Sequence, residues 1–152
     1  MLRDIPPLLH PDFLQVLAAM GHGDELAIVD ANFPAARHAR RLIVATGADV
    51  PTVLDAVLQL LPLDTFVEPA AFTMEVVGAP DDVPAPVADF AAVLTRHGLA
   101  DAEIGRLTRA DLLARTRDAF AVVHTGELRA YGNILLVKGV RNELVRAPPE
   151  SS

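Results

Sequence analysis

The chain has 152 residues, enough for one domain with a sizeable core, and 51% of them are hydrophobic, which excludes general disorder. A formal charge of −7 argues against a nucleic-acid backbone as partner, and no block of like charges suits an anionic membrane surface. Cysteine is absent, which removes disulfides, thiolate nucleophiles and zinc–thiolate sites.

The opening residues, Met1 to Pro7, carry an acid and two prolines where a signal peptide needs an unbroken apolar stretch. No apolar segment approaches bilayer length, so the expectation is a soluble, cytoplasmic protein. Pro11 suits the first position of a helix, and Phe13, Leu14, Leu17 and Met20 form its apolar stripe. Gly21 is placed to end that helix in a left-handed cap. Leu26 to Val29 reads as a first strand and, after the Asn32-Phe33-Pro34 turn, Leu42 to Val44 as a second. Pro51 opens another helix, with Leu54, Val57, Leu58 and Leu61 at i, i+3, i+4 and i+7. Phe72 to Val77 reads as strand, and Pro80, Pro84 and Pro86 make a rigid connection.

A further helical stripe follows in Val87, Phe90, Ala91 and Leu94, stopped by Gly98. Ile104 to Leu107 reads as a short strand, and Thr108 with Asp111 as the capping pair of a last helix. Two apolar runs complete the domain, Ala119 to Val123 and Ile134 to Val137. Neither alternates with polar residues, so both strand faces require cover by helices. The expectation is a single-domain, three-layer α/β/α fold over residues 1–146, with a flexible tail at 147–152 and a mostly buried central sheet.

Chemistry-bearing residues cluster at turns. His22 sits between the first helix and the first strand; it is a candidate general acid or base, or equally a histidine favouring a helix C-terminus. Asp30 closes its strand at the carboxyl end, where open α/β sheets place ligands, although a turn-capping aspartate would look the same. Arg109 places a cation in the first turn of a helix, against the macrodipole, and such violations mark functional sites or tolerant surfaces. Tyr131, the single tyrosine, and Asn133 flank Gly132 at the entry to the last strand, as ligand contacts or as a turn with core filler. No phosphate loop, dinucleotide fingerprint, nucleophile elbow or paired-histidine metal motif is present. Acid–base chemistry without metal or cofactor is what remains.

Together, Gly21 to Glu25, Asp30 to Pro34, Thr125-Gly126-Glu127 and Tyr131 to Ile134 resemble the RbsD/FucU family of D-ribose pyranases and L-fucose mutarotases. The resemblance runs to about Gly139. It implies an α/β fold, a ring-shaped homo-oligomer, commonly a decamer, and interconversion of the ring forms or anomers of a free monosaccharide. His22 then matches the family's proton donor, Asp30 a substrate-binding carboxylate, and Arg109 the sugar-contacting arginine of the fucose branch. Tyr131, Gly132 and Asn133 match the substrate-contacting tripeptide, whereas His124 departs from the family's pattern. A D-ribose pyranase, a non-catalytic sugar-binding module and a structural oligomerisation domain are the alternatives.

One geometric expectation follows from counting. Eight steps separate His22 from Asp30, and an extended path would span about 26 Å at ~3.3 Å per residue. Either Gly23 folds the histidine back, or the two residues of one pocket come from neighbouring subunits; the second is the expected arrangement.

Overall fold

The computed structural model describes residues 1–99 and 103–141; the tail at 147–152 lies outside them. In chain order the elements are α1 (Pro11–Ala19), β1 (Glu25–Val29), α2 (Ala35–His38), β2 (Leu42–Ala45), α3 (Val50–Leu58) and β3 (Ala71–Met74). They continue with α4 (Ala85–Arg96), β4 (Ile104–Leu107), α5 (Arg109–Asp118), β5 (Ala121–Thr125) and β6 (Ile134–Val137). The six strands form one sheet in the order β2-β5-β1-β6-β3-β4.

Strand β6 is antiparallel to both its neighbours, β1 and β3, while β1, β2 and β5 run parallel to one another. The carboxyl ends of β1 and β3 and the start of β6 therefore meet at one edge of the sheet.

Alternating residues of the central strands build two cores. Leu26, Ile28, Ala121, Val123, Ile134 and Leu136 face α1, α3 and α4, packing against Phe13, Leu54 and Phe90. Ala27, Val29, Val122 and Leu135 face the other way, against Ala35 of α2 and Ala119. That second layer is thinner. Its helix α5 buries only Leu112 and Thr116, and it is fastened instead by Arg115. The Arg115 guanidinium lies 4.1 Å over the Phe72 ring and bonds Glu25 Oε1 at 2.7 Å. The three-layer α/β/α expectation holds, including the strands buried on both faces.

Local departures have local causes. The first helix ends at Ala19 with Met20 extended, and the left-handed glycine is Gly23 (φ +86°), not Gly21. Gly21 stays in ordinary backbone because its N–H bonds the Asp24 carboxylate at 2.7 Å, and the reversal into β1 comes two residues later. The third strand stops at Met74, short of Val77, because the chain turns at Gly78 (φ +80°) and closes a bridge between Val76 and Ala79. In α4 the buried stripe runs through Val93, leaving Ala91 exposed. The Thr108 cap forms as expected, its hydroxyl accepting from the Asp111 N–H at 3.1 Å.

Candidate functional site

A cavity of about 360 Å³ opens at the edge where β1 and β3 end, α5 begins and β6 starts. This volume falls near the low end for small-molecule sites, about 300–1,000 Å³, and carboxyl strand ends are where α/β sheets bind ligands. Asp30, Arg109, Tyr131 and Asn133 all line it, together with Asn32, Phe33, Met74, Val77 and Leu113. The lining mixes polar side chains with apolar ones, a composition that suits a ligand bearing both hydroxyls and C–H surface.

Asp30 leaves β1 at its buried end and is only 8% exposed. Burial pushes its carboxyl above the usual aspartate value, against the opposing hydrogen bonds of Asn32, Phe33 and Asn133; the nearby Glu127 charge adds to the rise. The Asn32 N–H donates to Asp30 Oδ1 at 3.0 Å, and the Asp30 N–H donates to Asn133 Oδ1 at 2.8 Å. That second bond fixes the amide's orientation and leaves its N–H groups as donors.

Tyr131 holds a left-handed backbone (φ +61°), unusual for a residue with a Cβ, and its hydroxyl accepts from the Val77 N–H at 3.3 Å. The phenolic hydrogen remains available to a ligand. Arg109 is exposed at the first position of α5 and has no hydrogen-bond or ion-pair partner among the described residues. It lines the cavity, where its guanidinium can donate hydrogen bonds to a ligand. Gly132 lies behind the wall: a Cβ there would stand 2.7 Å from Glu127 Cγ and 3.1 Å from Arg129 O. His124 also supports the wall from behind, with Nε2 3.1 Å from the Ala31 carbonyl.

His22 is not in this cavity. It sits at the opposite edge of the sheet, where the Gly23 N–H bonds the Lys138 carbonyl beyond the end of β6. Its Nε2 lies 3.1 Å from Asp64 Oδ1, and its ring packs against Phe66 with centroids 5.3 Å apart. The Asp64 side chain is 3% exposed, whereas that of His22 is 44% exposed. The Phe66 N–H, at 3.0 Å, and then His22 hold the Asp64 carboxyl below the usual aspartate value despite its burial. With Asp64 ionised, Nε2 carries the hydrogen of this pair and Nδ1 is the nitrogen left to exchange a proton. Sequence reasoning missed Asp64, which lies 42 positions from His22 in an unremarkable Leu-Asp-Thr-Phe run.

One chain thus carries a small cavity at one edge of the sheet and an imidazole–carboxylate pair at the other. The family model "RbsD / FucU transport protein family" matches residues 3–141. Human fucose mutarotase is 43% identical over 145 residues, covering 91% of this chain and 94% of that protein. The crystal structure of fucose mutarotase in complex with L-fucose from Streptococcus pneumoniae superposes with a TM-score of 0.86 at 41% identity, covering 92% of this chain and 99% of that one. Bacillus subtilis RbsD complexed with D-ribose shares the fold, with a TM-score of 0.73 at 20% identity over 93% of this chain and 99% of that one. With its whole sheet inside the matched span and relatives above 40% identity over more than nine-tenths of its length, the chain belongs to the RbsD/FucU family.

Proposed function

We propose that this protein is a mutarotase that interconverts the α and β anomers of a free aldose, L-fucose or a close relative. The observation that carries this reading is the convergence of Asp30, Arg109, Tyr131 and Asn133 on one small cavity, in a chain whose relatives bear the name fucose mutarotase.

Opening a cyclic hemiacetal requires loss of the anomeric hydroxyl proton, gain of a proton by the ring oxygen and cleavage of the bond between C1 and that oxygen. Asp30, whose raised pKa makes it a better base than an exposed carboxylate, takes the anomeric proton. His22 delivers a proton to the ring oxygen. The aldehyde turns about its C1–C2 bond and recloses on either face as both protons return, so no net proton is consumed. Arg109, Tyr131 and Asn133 hold the remaining hydroxyls, and Gly132 keeps the tripeptide close to the sugar. One such acid–base pair supplies typically about 10²–10⁴-fold.

His22 reaches the sugar only from a second subunit. β1 has five residues and spans roughly 17 Å, more than a pyranose bridges. A head-to-tail arrangement sets the His22–Asp64 edge of one chain against the cavity of the next and closes into a ring, which we read as a decamer. Exposed Phe66 and Val67 beside His22, and Val77 and Leu128 near the cavity, supply apolar surface for such a contact. The cytoplasm, where free monosaccharides are metabolised, is the proposed compartment.

Saturation-transfer NMR of L-fucose anomers with and without protein tests the function. Accelerated exchange abolished by His22→Ala supports the mutarotase. Saturable binding with unchanged exchange would replace it with a sugar-binding module. A panel of ribose, fucose, galactose and rhamnose sets the specificity, and faster pyranose–furanose exchange of ribose than anomer exchange of fucose would favour a ribose pyranase.

A further inference from the structure

The segment joining β5 to β6 crosses over the end of β1, because β1 lies between those two strands in the sheet. Its centre is an ion pair rather than an apolar plug. Glu127 is 4% exposed and takes three hydrogen bonds from Arg129. The Arg129 backbone N–H and Nε donate to Oε2 at 3.3 and 3.2 Å, and Nη2 donates to Oε1 at 2.9 Å. The remaining arm, Nη1, reaches Asp89 Oδ2 of α4 at 2.7 Å. The Glu127 carbonyl accepts from the Ala31 N–H at 2.8 Å, fastening the same residue to the turn that follows Asp30.

The cavity wall is wound around this pair. Gly132 packs on the Glu127 side chain too closely to admit a Cβ, and Tyr131, just before it, is the residue held in left-handed backbone. Such a conformation persists only where surrounding contacts over-determine it. A planar fork fixes direction as well as distance, which an apolar filler of the same volume does not.

We propose that Glu127 and Arg129 are positioning residues of the sugar site: their fork holds the loop so that Tyr131 and Asn133 face the cavity, and Asp89 steadies the fork from α4. This rests on the sugar reading above. Neither side chain lines the cavity, so they act through Tyr131 and Asn133.

Tyr131 is the single tyrosine and the chain has no tryptophan, so the tyrosine emission of the folded protein reports on this one residue. Arg129→Lys keeps the charge and loses the fork. In that variant, acrylamide quenching of Tyr131 roughly doubles, read at a temperature where the far-ultraviolet circular dichroism matches wild type. The KM for L-fucose rises roughly tenfold, and the surface variant Arg40→Ala changes neither quantity. Asp89→Asn, which removes only the half-exposed arm, moves both in the same direction by less. A folded Arg129→Lys with wild-type quenching and KM overturns the proposal. Should Arg129→Lys fail to fold, Asp89→Asn decides, and unchanged quenching there overturns it. Quenching needs no sugar, so a wild-type protein inert towards fucose defeats the mutarotase reading while the fork is still judged on Tyr131 alone.

Discussion

His22 and Asp30 bracket β1 from opposite edges of the sheet: the imidazole bonds Asp64 before the strand begins, and the carboxylate faces the cavity after it ends. The sequence leads to the expectation that the two residues of one pocket come from neighbouring subunits, with a fold-back at Gly23 as the alternative. Gly23 does reverse the chain, at φ +86°, but the reversal leads His22 to Asp64 instead of towards Asp30. Within one subunit the two groups cannot share a pyranose.

If the proposed pocket is shared between neighbouring subunits, inactive variants should complement each other. His22→Ala and Asp30→Ala are each expected to be inactive alone. Mixed after reversible dissociation, they regain roughly a quarter of wild-type exchange, the statistical share of pockets pairing one intact half with another. NMR anomer exchange on the mixture measures it, and no recovery despite mixed assembly would mean that the two residues do not serve one pocket.

The parts of this molecule legible in its sequence are those fixed by near neighbours. The apolar runs of β1, β5 and β6, the Thr108 cap and the proline-led helices α1 and α3 follow from spacing and capping alone. Strand order was not legible. β6 is apolar throughout because it is buried at the sheet centre, and nothing in Ile134 to Val137 says that it runs antiparallel between β1 and β3. At the site, Asp30, Arg109, Tyr131 and Asn133 stood out by residue type at turns. Asp64 did not, since its role arises only when the loop after α3 returns beneath His22. Glu127 was visible as part of a motif, but its pairing with Arg129 needed the wound loop.

Replacing Asp30 by Asn should separate stability from function. Burial raises the Asp30 carboxyl, so the folded state binds its proton more tightly than the unfolded chain does. The sign is therefore a penalty at pH above the folded value, relieved as pH falls towards the ordinary 3.8. Asp30→Asn removes the penalty while its side-chain oxygen still accepts from Asn32. The variant should match or exceed wild-type Tm at pH 7, lose that advantage near pH 4, and show no fucose exchange. Thermal melts across this range, beside exchange assays, check both halves; a large loss of Tm at pH 7 would contradict the argument.

Asp64→Asn has the opposite sign. Its carboxyl is held low by the Phe66 N–H and His22, so its ionised form stabilises the fold fully above 3.8 and loses that contribution as pH drops through the depressed folded value. The wild-type advantage in Tm over the variant should shrink below about pH 4, as Asp64 takes up its proton. On the proposed mechanism catalysis should suffer in kcat, by roughly 10–100-fold, with KM little changed, because the Asp64 carboxylate orients the His22 imidazole through its hydrogen bond. A variant with unaltered kcat would reduce Asp64 to a loop-capping residue.

Arg109 offers the plainest division between folding and binding. It opens α5 against the helix dipole and has no partner among the described residues, so it contributes nothing evident to the fold. Arg109→Ala should leave Tm unchanged or raise stability by about 0.3–1 kcal/mol, the usual size of a dipole mismatch at an exposed terminus. On the proposed reading the same change removes a charged donor to sugar hydroxyls, worth about 1.5–3 kcal/mol, and should raise KM for L-fucose roughly ten- to a hundredfold. Arg109→Lys restores the charge but not the fork and should recover only part of the affinity. If Arg109→Ala instead melts early and binds sugar normally, Arg109 is a structural residue that happens to face the cavity.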